Sequence, residues 1–233
     1  QMDTVAHEAI EEIQGYYSNY SYWYEFGKER ENCIPYLRFD RGAPDLNSRR
    51  LQWVRERGFG IALRHPFTEL PTVNEVIEEI DHSNFFVNVD AGWDTDILLR
   101  QAVVNNTVRS LAEANPLVKI VVTSSTFPES FDGVGIDDTH QLNEINLFES
   151  AANAVRQSSN TAETFYGDWA TTRHPFGGGG NINTSYPRID VPKDRTIQMF
   201  REPPPETESV HDVYERLAET VMASKHWPTI PAC

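Results

Sequence analysis

Hydrophobic and polar positions follow two periods that take turns along the chain. Short apolar runs with polar ends recur as CIPYLRFD at 33–40, FGIALRH at 59–65, FFVNVD at 85–90, VKIVVTSS at 118–125 and TFYGDW at 164–169. Each is short, rich in β-branched or aromatic residues, and reads as a strand. Between them lie segments with helical spacing. Leu51 and Val54 mark one over 47–57, and Val73, Val76, Ile77 and Ile80 mark a second behind Pro71, which suits a first helical turn. A longer helix is predicted from Asp96 to Ala114, capped by Asp94 or Thr95 and stopped by Asn115-Pro116. Two more are predicted over 142–157 and 210–222, with weaker strand candidates at 188–191 and 196–200. Ahead of all these, Val5 to Phe26 reads as helical and ends in a crowd of aromatic residues. That crowd is read as a packing surface against a hydrophobic body, with a base- or sugar-stacking surface as the alternative.

Strand and helix in alternation imply an α/β fold around a parallel sheet, its strands buried on both faces. No G-x-G-x-x-G follows the first strand and no phosphate-binding P-loop occurs, which weakens an open nucleotide-binding sheet. The strands instead finish in polar residues one after another: Arg38 and Asp40, Arg64 and His65, Asn88 and Asp90, Ser124 and Ser125, Gly167 and Asp168. Strand ends of a (β/α) barrel converge on one mouth. Five clear strands fall short of the eight that close a barrel. The expectation is therefore a partial or irregular TIM-type (β/α) barrel with parallel strands. It spans residues 32–205, behind a helical segment at 1–31 and ahead of a C-terminal helix and tail at 206–233.

Composition narrows the function classes. Twenty basic against 35 acidic residues give a net charge of -15 over 233 residues. Direct binding to a nucleic-acid backbone needs clustered Lys and Arg, so that class is disfavoured. No apolar run is long enough for a bilayer. Cys33 and Cys233 make no disulfide framework, and a reduced, cytoplasmic setting is expected. Neither His-Glu-x-x-His nor Cys-x-x-Cys is present, so no metal site and no cofactor is expected.

Several segments together resemble a known group. IPYLRFD (34–40), FGIALRH (59–65), VNVD (87–90) and VVTSSTFPESF (121–131) stand in the order seen in the phage "beta" protein family. FYGDWATTRHP (165–175) resembles that family's Tyr-Gly-Asp-aromatic block, and SYPRIDVPKDRTIQMFRE (185–202) its two closing strands, the second ending in Arg. The resemblance begins near Cys33 and reaches the last helix. It implies a prophage or anti-phage context rather than a reaction. It also implies an additional N-terminal block with the first barrel strands and an early acidic segment, and the expectation is that this chain lacks it.

Candidate chemistry sits at the strand ends. Asp40, Asp90 and Asp168, with His65 and His174, are the acid–base candidates; Arg38 and Arg64 suit an anionic ligand. The alternative is Arg–Asp pairs that close the end of the sheet. Ser124 and Ser125 offer hydroxyls and N–H groups to an anion, but without a Gly-x-Ser-x-Gly turn a nucleophilic role has little support. The family-like segments add Tyr166, Arg188 and Arg201 as ligand-binding candidates. The run Gly177 to Gly180 lacks the Lys and following helix of a phosphate loop and reads as a surface loop. Three functions follow. One is a component that binds a ligand or an unknown protein partner in phage or anti-phage biology. The others are a barrel-type hydrolase of an anionic substrate and a virion-associated structural protein.

Overall fold

The computed structural model describes residues 36–38, 60–78, 80, 85–127, 137–168, 187–203, 207–225 and 227. The helical segment expected over Val5 to Phe26, the helix over 47–57, Asp40, His174 and the glycine run lie outside them. The chain divides into two compact units. The first comprises Gln1–Gly92, Arg100–Thr123 and Ser150–Gly167, and the second Trp93–Leu99, Ser124–Glu149 and Asp168–Cys233.

The first unit carries a mixed α/β arrangement around a parallel sheet. Its strands are β1 (Tyr36–Arg38), β2 (Gly60–Arg64), β3 (Phe86–Trp93) and β4 (Lys119–Ser125), followed beyond β5 by β6 (Glu163–Asp168). They lie in the order β1-β2-β3-β4-β6. β1 pairs parallel with β2, Arg38 against Ala62, and β2 parallel with β3, Arg64 against Asp90. The remaining strands also start side by side: Lys119 N–H donates to Phe85 O (3.4 Å) and Glu163 N–H to Val118 O (3.2 Å). The five apolar runs in the sequence are these five strands.

Burial alternates along β2, β3 and β4 rather than covering both faces. Ile61, Leu63, Val87, Val89, Ala91, Ile120 and Val122 are buried, whereas Arg64, Asn88, Asp90 and Thr123 are half-buried. Period-two alternation puts the polar set together on one face. Sequence hydropathy suggested strands buried on both sides because Ala62, Phe86 and Val121 dilute that polar face.

Helices α1 (Leu70–Ile77) and α2 (Gln101–Ala114) meet where Asn74 Nδ2 donates to Ser110 Oγ (2.7 Å), and each buries an apolar stripe, Val73, Val76 and Ile77 on α1 and Val104, Val108 and Leu111 on α2. Asn115, the C-cap of α2, also ends α1: its Nδ2 donates to the carbonyls of Ile77 (2.8 Å) and Ile80 (3.1 Å). The predicted start at Asp96 is displaced, since Ile97–Arg100 form a 3-10 turn and α2 begins at Gln101 with no side-chain cap. Asp94 instead accepts the Asp96 N–H through Oδ1 (3.0 Å), a local turn that competes with capping.

The second unit holds a three-stranded antiparallel sheet, β5 (Asp137–Gln141), β8 (Thr196–Arg201) and β7 (Arg188–Pro192), with β8 central. The two weaker strand candidates are thus a hairpin in a separate sheet, not further parallel strands. Helix α3 (Asn143–Ser158) follows β5, and α4 (Val210–Ala223) follows β8. The N-cap of α4 is Ser209, whose hydroxyl accepts the Asp212 N–H (3.2 Å). Leu217 and Val221 of α4 join Val191 and Phe200 on one sheet face, while Phe127 joins Ile197 and Met199 in another cluster. No helix among the described residues is long and apolar enough to cross a membrane.

Candidate functional site

On the polar face of the parallel sheet, Arg64 and Asp90 stand opposite each other at the ends of β2 and β3, Arg64 Nε lying 3.5 Å from Asp90 Oδ2. The other carboxylate oxygen, Oδ1, accepts the Gly92 N–H (2.9 Å). Gly92 has φ +76°, a conformation that a residue with a Cβ adopts at a penalty. His65 N–H reaches the Asp90 carbonyl (2.9 Å), and its ring meets Phe67 edge-on, centroids 5.6 Å apart. Both Asp90 oxygens are thus engaged, a placement that suits fixing the strand ends better than taking a proton.

One layer below, Thr123 Oγ1 donates to Asn88 Oδ1 (3.0 Å). Glycine at 167 makes room for this pair, because a Cβ there would stand 2.6 Å from Thr123 Cγ2 and 3.2 Å from Val121 Cγ1. The glycine of Tyr166-Gly167-Asp168 is therefore a close-approach residue between β6 and β4. Tyr166 is 39% exposed and, one residue away, points to the opposite side of β6, off the Arg64–Asp90 face.

In the second unit the Ser-Ser-Thr-Phe segment is buried throughout. Ser125 holds a turn, its Oγ accepting the Phe127 N–H (3.2 Å) and its carbonyl the Asp94 N–H (3.1 Å). Thr126 is 0% exposed and its hydroxyl donates to the buried Glu144 carboxylate of α3; His140 Nε2 of β5 lies 3.4 Å from the same oxygen. A consistent set has His140 N–H donating to Thr126 and Thr126 donating to Glu144. Glu144 carries no periodicity signal in the sequence.

The far end of the antiparallel sheet is strongly charged. Arg188 and Arg201 are directly opposed in the β7–β8 register, and opposed residues share a face. Asp190 shares it two residues on, with Oδ1 3.0 Å from Arg188 Nε. Asp190 Oδ1 is buried, with the Arg188 guanidinium as its charged partner. Burial pushes the Asp190 carboxyl above its ordinary value, against the opposing pull of Arg188. The Arg188 guanidinium also lies over the Phe127 ring, 5.0 Å from its centroid. Asp190 was missed as a candidate although Arg188-x-Asp190 has the period that puts both on one strand face.

The structure thus brings Arg64, His65 and Asp90 together, and separately Arg188 and Arg201. Ser124 is buried at the end of β4. Arg38 ends β1 and Asp168 ends β6. Among the described residues no group of three or more His, Cys, Asp or Glu is placed to hold a metal ion.

The family model described as Beta protein matches residues 1–230, reaching ahead of Cys33, where the motif resemblance begins. No curated protein and no solved structure shows significant similarity. A match over nearly the whole length, with the motif order set out above, places this chain in the phage-type beta protein family.

Proposed function

We propose that this chain is a recognition component in phage or anti-phage biology, acting in the cytoplasm, which binds an anionic group of a ligand or partner protein. The parallel sheet is read as an arc of a partial or irregular TIM-type barrel. The observation that carries the reading is the direct opposition of Arg188 and Arg201 on the face that also holds Phe127 and Asp190. Two guanidiniums side by side suit an oxyanion, which they hold through charge-assisted hydrogen bonds. The engagement of both Asp90 oxygens supports a structural rather than a catalytic role for that carboxylate.

A hydrolase of a phosphorylated or acidic substrate is the second reading, favoured by the Thr126 hydroxyl between Glu144 and His140. Its full burial argues against an attacking role. Affinity capture from phage-infected cells separates the two. Wild type is expected to retain a specific partner or anionic ligand that the double variant Arg188→Gln, Arg201→Gln releases. Turnover of a phosphorylated substrate that disappears with Glu144→Gln, or identical capture by the Arg variant, would overturn the proposal.

A further inference from the structure

Helix α4 carries two apolar ridges where covering a sheet needs only one. Val213, Leu217 and Val221, spaced by four, are buried, the last two against Val191 and Phe200. Beside them runs a second row at the same spacing, Val210, Tyr214, Ala218 and Met222. Val210 is 56% exposed, Tyr214 42% and Met222 54%, and the small, half-buried Ala218 leaves a notch between the last two. A row of residues at i, i+4 and i+8 is the ridge that packs into the groove of a second helix. Tyrosine and methionine are also among the side chains enriched where proteins meet.

The charge around this row selects its occupant. Asp212, Glu215 and Glu219 are exposed on the outer side of α4, and none is in an ion pair among the described residues. Arg216, the one Lys or Arg in the helix, is already held by Glu202 and Glu208. The last turn has no basic side chain to offset the negative end of the helix dipole, and Lys225 follows only past the helix end. We propose that the Val210–Met222 ridge is a docking surface for a basic amphipathic helix of a partner protein, with apolar side chains on the ridge and Lys or Arg beside Asp212, Glu215 and Glu219. A second copy of the chain fits less well, since it too carries a net charge of -15. An antiparallel two-fold pair of these helices would also set Glu215 and Glu219 of one against those of the other. α4 packs on the sheet face opposite Arg188 and Arg201, so this surface is separate from the anion reading above and does not rest on it.

The test is fluorescence anisotropy of a labelled synthetic peptide titrated with the full chain. The peptide has about 18 residues, long enough to hold a helix, with leucines on one face and lysines elsewhere. One control has the same residues scrambled so that no apolar face forms, and the other has Glu in place of Lys. The leucine–lysine helix is expected to bind saturably and roughly tenfold or more tighter than either control. Tyr214→Ala with Met222→Ala, both at exposed positions, should weaken it by roughly tenfold or more. Glu215→Gln with Glu219→Gln should weaken it less and flatten its dependence on salt. A control peptide bound as tightly as the helix, an affinity unchanged by the Tyr214 and Met222 substitutions, or no peptide bound by the folded chain overturns the inference. So does a wild-type chain that sediments as a dimer and becomes monomeric on Tyr214→Glu, because a second copy then fills the ridge.

Discussion

Replacing Gly167 by Ala tests whether β6 lies close against β4. The new Cβ would stand 2.6 Å from Thr123 Cγ2, where ordinary carbon contacts lie at about 3.5–4.0 Å. The strands must then part by about 1 Å, or Thr123 must turn. Turning breaks the Thr123–Asn88 hydrogen bond (3.0 Å). Overpacking of this kind costs about 1–3 kcal/mol and the lost bond about 1 kcal/mol. Alanine in place of glycine in a strand returns about 0.5–1 kcal/mol. The net expectation is a loss of about 2 kcal/mol, or a fall in Tm of about 4–8 °C for a chain of this length. Urea unfolding followed by far-ultraviolet circular dichroism measures it. Thr123→Ser removes Cγ2 and keeps the hydroxyl, so the double variant should regain about 1 kcal/mol or more, a coupling that distant sites do not show. Gly167→Ala within about 0.5 kcal/mol of wild type, or additive effects in the double variant, would refute the close approach.

Other consequences follow from single contacts. Asn115→Ala removes two donors from the carbonyls that end α1 and should cost about 2 kcal/mol by the same urea titration. Ser209→Ala should cost about 1 kcal/mol through loss of the α4 N-cap, readable as reduced helicity and an earlier melt. Thr126→Val leaves the buried Glu144 carboxylate without its donor and should cost about 2–3 kcal/mol, whereas Thr126→Ser, keeping the hydroxyl, should unfold close to wild type. For Asp190 the raised carboxyl means that the folded chain holds this proton more tightly than the unfolded one. Its stabilising contribution is complete below the unfolded value of 3.8 and is lost as pH rises through the raised folded value. Asp190→Asn should therefore melt at or above wild type at neutral pH, with the gain vanishing as the solution is acidified.

Much of the fold was legible because the parallel strands advertise themselves. Val87, Val89, Ile120 and Val122 are apolar and β-branched, and Asn115-Pro116 is an unambiguous stop. β5 was not legible. Its sequence, DDTHQ, has no apolar position, and what holds it is side-chain bonding to its neighbour: Thr139 donates to Gln198 Oε1 (2.8 Å), and Gln198 Nε2 donates to Asp137. Nothing local predicts a strand whose support comes from a residue some sixty positions away. The charged site was half visible. Arg188 and Arg201 could be named from family-like segments, but their opposition depends on hairpin register, and Asp190 becomes conspicuous only once it is seen buried beside Arg188. Ser125 misled in the reverse sense, since its hydroxyl is taken up by its own turn. Local self-bonding of this kind is common in Ser and Thr and leaves no trace in composition.

The most direct measurement follows the arginine Nε–Hε resonances, assigned by single substitutions, while inorganic phosphate is added to the full chain. Arg188 and Arg201 should shift together and saturate at one common concentration, while Arg195 and Arg216, held in surface pairs with Glu149, Glu202 and Glu208, stay where they are. Equal, unsaturating drifts at all four arginines, or movement at the surface pairs alone, would contradict an anion site on β7 and β8.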